Sequence, residues 1–183
     1  ATPLSEIASL AAWRRVFRGF GVDPTQYRSA AEALLRRLSK QGDLPAINAL
    51  VDLANLVSIR WALPVAVFDL RAIRGGTTVT FATGDERWAD LGGSTTERPE
   101  SGEVIFVDEA ADVSARRWCW RQSAASAARE DTAEILVTVE GHHDAADADV
   151  RGALADLGEL LGRFVTPSSL RSAIVSARDP SFG

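Results

Sequence analysis

The chain has 183 residues, 46% hydrophobic and 25% charged, with a formal net charge of −5. That length can bury one substantial core, and the acidic balance excludes a general nucleic-acid coating protein, which carries a basic surplus. No apolar run approaches the roughly 20 residues that cross a bilayer, and Cys119, the only cysteine, allows no intramolecular disulfide and fits a reducing cytoplasm.

The sequence starts at Ala1 and holds no Met, so a trimmed start without a secretory leader is expected. Lys40 is the only lysine among 20 basic residues. An Ala- and Arg-rich, Lys-poor chain points to a GC-rich bacterial genome. The charge is uneven: residues 1–60 balance at +3 and residues 61–183 at −8. Arg14, Arg15, Arg18, Arg28, Arg36, Arg37 and Lys40 can form one positive surface or a solvated helical face.

In chain order, Ser5 can cap a first helix reaching about Phe17, with Ile7, Leu10, Trp13 and Phe17 at helical spacing. Gly19, Gly21 and Asp23-Pro24 end it. Ser29-Ala30-Ala31-Glu32 reads as a capping box for a helix to about Leu38. Pro45 suits the first turn of a third helix, whose apolar stripe is Ile47, Leu50, Val51, Ala54 and Val57. Asn48, Asp52 and Asn55 follow at spacings of four and three and point to one side.

Pro64 ends that helix. Val65 to Asp69 reads as a strand, and Arg74-Gly75-Gly76 as a turn into a second strand at Thr77 to Ala82, a predicted hairpin. Residues 92–102 read as a surface loop. Glu103 to Asp108, Trp118 to Arg121 and Thr132 to Glu140 read as strands. Val150, Leu154, Leu157, Leu161 and Phe164 place a last helix over Asp147 to Phe164. Helices first, strands in the middle and a helix last predict an α+β fold.

The sequence has no Gly-rich phosphate loop, paired-cysteine metal site or serine-elbow motif. His142-His143-Asp144 offers metal-ligand atoms, but adjacent histidines diverge and the chain has no third His. As a strand, "RRWCWRQS" puts Cys119 on one face with Arg117 and Arg121, where guanidiniums can activate a thiol. Asp52, Asn55, Trp120, Arg121, Gln122 and Glu140 can converge on a polar ligand, or can pack and cap within a core.

Several stretches resemble the B3/B4 domain of the phenylalanyl-tRNA synthetase β subunit, and its free-standing bacterial and archaeal relatives more closely. They are Trp13 to Phe17, "YRSAAEAL" from Tyr27 to Leu34, "VDLANLVSIRWALPVAVFDL" from Val51 to Leu70, "GEVIFVD", "WCWRQS" from Trp118 to Ser123 and "TAEILVTVEG". The likeness spans about residues 10 to 142. It implies an unusual β-sandwich flanked by helices and a pocket that hydrolyses a wrong amino acid, chiefly tyrosine, from the tRNA 3′ end. The chain departs from the synthetase pattern at three places. Ala66 stands where the family has His. Trp120-Arg121 falls near a Gly-Gly floor. Thr138 stands at a carboxylate position, with Glu140 two residues on.

The resemblance implies a stand-alone domain over 1–165 with a tail at 166–183. Its expected partner is tRNA or aminoacyl-tRNA, without membrane, DNA, metal or cofactor. Asn55 and Gln122 would position the ligand, Arg121 would bind an oxygen, and Glu140 or Asp52 would pair with an ammonium. Trp120 would form a wall or stack on the terminal base. Arg14, Arg15, Arg18, Arg36 and Arg37 would take phosphates. A non-catalytic amino-acid or metabolite binding protein is the alternative.

Overall fold

A computed structural model describes residues 3–92 and 95–182. Gly93 and Ser94, in the stretch read as a loop, lie outside the described residues, as do Ala1, Thr2 and Gly183. The chain forms an α+β fold of four α-helices and three small antiparallel sheets among the described residues. None of these helices is long and apolar enough to cross a membrane.

The helices begin where local chemistry satisfies their first amides. Helix α1 (Ala8–Gly19) follows a single 3-10 turn at Leu4–Glu6. Ser5 lies inside that turn and caps nothing, contrary to the sequence reading. Helix α2 (Ala30–Gln41) opens on Ser29, whose side chain accepts from the Glu32 amide, and stops at Gly42 with φ of 78°. A left-handed residue favours glycine there because it has no Cβ to clash. Helix α3 (Ala49–Trp61) starts at Asn48 and not at Pro45. The Asn48 Oδ1 accepts from Val51 N at 3.1 Å, and its Nδ2 donates to Ala128 O at 2.9 Å. Helix α4 (Ala146–Phe164) matches the predicted apolar spacing.

Strand β1 (Val65–Asp69) pairs with β8 (Ile135–Val139), placing Val65 opposite Val139 and Ala66 opposite Thr138. It makes no hairpin with β2 (Thr77–Phe81), which pairs instead with β5 (Val104–Asp108). The four-stranded sheet runs β2-β5-β6-β7, with β6 at Val113–Arg116 and β7 at Arg121–Gln122. The 92–102 stretch is not all loop, because β4 (Thr96–Glu97) pairs with β3 (Trp88–Ala89).

Strand alternation sends the two faces of the β1–β8 ribbon into different cores. Val65 and Val67 pack under α3 and α4 with Ala54, Val57, Ala153, Leu157 and Leu161. Ala66, Phe68 and Leu136 pack against Phe106 and Ala115 of the four-stranded sheet. The result is two β layers with helices on the outer side of the ribbon. Within the sheet, Glu103 and Arg116 are almost fully buried and joined at 2.8 and 2.9 Å. Burial would raise the Glu103 carboxyl, but the guanidinium outweighs it and holds it below the usual range.

Candidate functional site

The stretch read as a strand from Trp118 to Arg121 is a turn over Arg117 to Trp120, and only Arg121 and Gln122 are extended. Arg117 and Trp118 have φ of 43° and 61°, so the backbone turns left-handed and the predicted alternation of faces is lost. Several bonds hold this conformation. Trp118 N donates to Val104 O at 2.8 Å, Ala30 N donates to Cys119 O at 2.8 Å, and Arg117 N donates to Glu103 Oε1 at 3.1 Å.

Tyr27 and the guanidinium of Arg117 fix the Trp120 ring. The guanidinium lies 3.9 Å from the Tyr27 ring centre and 4.9 Å from that of Trp120, and the two rings meet edge to face at 5.0 Å. Trp120 lines two adjoining depressions. One is a cleft of about 320 Å³ between α2, α3 and β1. Its walls are mostly apolar, including Val51, Ala54, Val65 and Val67, and its polar side chains are Asn55, Gln122 and Arg37. The other is a groove of about 340 Å³ lined by Gln26, Arg28, Arg36, Arg37 and Lys40. Arg37, Ala33 and Trp120 belong to both. An apolar pocket with a few placed polar groups is the usual form of a small-ligand site.

Asn55, Trp120 and Gln122 come together as the sequence suggested. Gln122 donates through Nε2 to Val67 O at 2.6 Å and Ser126 O at 3.2 Å. Its Oε1 accepts from no donor among the described residues, and neither end of the Asn55 amide has a protein partner there.

Three expected residues stand elsewhere. Asp52 accepts from Ile47 N at 3.0 Å, serving the entry to α3 and not the cleft. Arg121 is exposed and pairs with Asp90 at 2.8 Å. Glu140 follows β8 and accepts from the Trp118 indole N–H at 2.5 Å. It is registered with Pro64, two residues before Ala66, so it shares the ribbon face opposite Val65 and Val67. Burial pushes its carboxyl up to about 7, although the indole bond favours the ionised form.

The predicted positive surface divides. Arg14, Arg28 and Arg36 surround the buried Glu32 carboxylate at 2.8, 3.9 and 2.9 Å. Arg14 is therefore an internal counterion. Arg36 also reaches the groove, beside Arg37. Arg15 and Arg18 are exposed on α1 but do not line the groove. Arg28 and Lys40 complete its cationic lining. The shared wall of Arg37 and Trp120 was not legible in the sequence, because a turn brings Trp120 to α2.

The other chemical candidates do not assemble. Burial, followed by the nearby Glu140 charge, drives the Cys119 thiol well above its ordinary pKa, the opposite of activation. His142 stacks edge-on with Trp13 and Trp118, whereas His143 Nε2 lies 2.7 Å from Asp149 Oδ2. No group of three metal-ligating side chains exists among the described residues.

This two-layered α+β fold, with helices over one ribbon face and a cleft beneath them, has a family. The B3/4 domain model matches residues 12–178, and the chain belongs to that family. It is also similar to the phenylalanine–tRNA ligase beta subunit of Cupriavidus pinatubonensis, 35% identical over 96 residues. That match covers 52% of this chain and 11% of the subunit.

Proposed function

We propose that this chain binds the acylated 3′ end of tRNA and hydrolyses its ester in trans, as a bacterial cytoplasmic protein. The observation that carries this reading is the wall formed by Arg37 and Trp120, which joins the cationic groove to the apolar cleft. Phosphates suit Arg28, Arg36, Arg37 and Lys40, and a terminal base can stack on Trp120. The acyl group then falls in the cleft beside Asn55 and Gln122. An aminoacyl ester is already activated, so oriented water can attack it without a protein nucleophile.

Membership in the B3/4 family and likeness to a tRNA ligase subunit support the tRNA end of this reading. The test is deacylation of a panel of mischarged tRNAs, together with tRNA binding over a salt series. Arg37→Ala should weaken binding and lower the slope of log affinity against log salt by about one. Unchanged affinity and slope would take tRNA out of the groove.

One observation favours a second reading, a binding protein without chemistry. Arg37 is the one ionisable side chain lining the cleft among the described residues. Tight binding of an acylated tRNA with no deacylation across the panel would select that reading.

A further inference from the structure

We propose, resting on the acyl-tRNA reading, that the cleft takes an acyl group whose amino nitrogen is already blocked as an amide. The ligand class is an N-acylaminoacyl or peptidyl ester.

A free aminoacyl ester carries an α-ammonium, which an apolar cleft accommodates at least cost beside an anion. Four acids on or beside the elements around the site are already engaged. Glu32 holds Arg14 and Arg36, and Asp52 accepts from Ile47 N. Asp90 pairs with Arg121, and Glu140 accepts from Trp118. None of them lines the cleft, and the charge that does line it is the Arg37 guanidinium, which repels a cation.

The polar groups that remain fit a neutral amide. Gln122 spends its Nε2 on Val67 O and Ser126 O, which leaves Oε1 as an acceptor for an N–H. Asn55 retains an unpaired Nδ2 donor for a carbonyl and an unpaired Oδ1. One donor and one acceptor are what a secondary amide presents. The walls of Val51, Ala54, Val65 and Val67 suit an uncharged side chain.

The test compares phenylalanyl-tRNA with the same preparation acetylated on its amino group, by equilibrium binding to the intact protein. The acetylated form should bind about tenfold more tightly, the worth of removing one unpaired charge from the cleft. Asn55→Asp puts a carboxylate in the cleft and should reverse the order, with a thermal melt confirming that the variant is folded. Equal affinity, or preference for the free amine by the wild-type protein, would overturn the proposal. If neither charged tRNA binds better than uncharged tRNA, the tRNA reading itself fails. N-acetylphenylalaninamide against phenylalaninamide then decides the cleft alone: binding of the acetylated probe supports the proposal, and any other result overturns it.

Discussion

At Glu140 a carboxyl group is held in surroundings that disfavour its charge, with the Trp118 indole N–H donating to it. Its ordinary pKa is 4.5 and its folded value is about 7, so between those values the folded chain holds a proton that the unfolded chain has released. The stabilisation is complete below about pH 4.5 and is lost as pH rises to about 7, a window worth about 3 kcal/mol. Glu140→Gln keeps an acceptor for Trp118 and removes the titration. Its Tm should vary less than the wild-type Tm between pH 5 and pH 8, and should exceed it at pH 8. Parallel melting curves at both pH values would show that Glu140 already ionises near its ordinary value. The two-residue spacing put Glu140 and Thr138 on one strand face, but did not tell which ribbon face met the cleft. Strand parity gives relative faces; the sign is set by what packs on each. Asp52 was left open between ligand and capping for a similar reason, since a helix stripe does not reveal which member serves the entry amides.

Between α3 and α4, the contact depends on a helix position without a side chain. A Cβ at Gly152 would lie 2.3 Å from the Trp61 ring. That indole cannot swing away freely, because its Nε1 donates to Asp156 Oδ2 at 2.7 Å. Alanine is favoured over glycine within a helix by about 1 kcal/mol, whereas overpacking costs about 1–3 kcal/mol. Gly152→Ala should therefore lower stability by up to about 2 kcal/mol, read as an earlier midpoint in urea unfolding. A later midpoint would mean that the helices separate at little cost. Helices were the more legible elements, because their apolar spacing is local: α4 lies where Val150 through Phe164 put it. Strand partners were not legible. The β1–β8 ribbon joins segments on either side of the whole four-stranded sheet, and no local turn signal announces such a pairing. The "WCW" stretch failed differently, since two non-glycine residues at positive φ leave no mark in composition.

Across the whole molecule, charge and shape tell different stories. The chain is acidic overall, yet its depression beside α2 is lined by three arginines and one lysine. The excess of acid in the second part of the sequence lies on other elements, so a net charge of −5 does not describe the field at the groove. The basic surplus of residues 1–60 was visible, but its division was not. Burial of Glu32 turned part of that surplus into internal ion pairing, and only the fold determines which cations remain for a ligand. Lys40, exposed at the groove, is the chain's only ε-amine. A reagent that acylates primary amines at side chains therefore marks this one surface, with every arginine left untouched. Bound tRNA should shield Lys40 from that reagent, visible as loss of the modified peptide in a mass spectrum, and the arginine-rich composition thus supplies a single-site footprint without any engineered label.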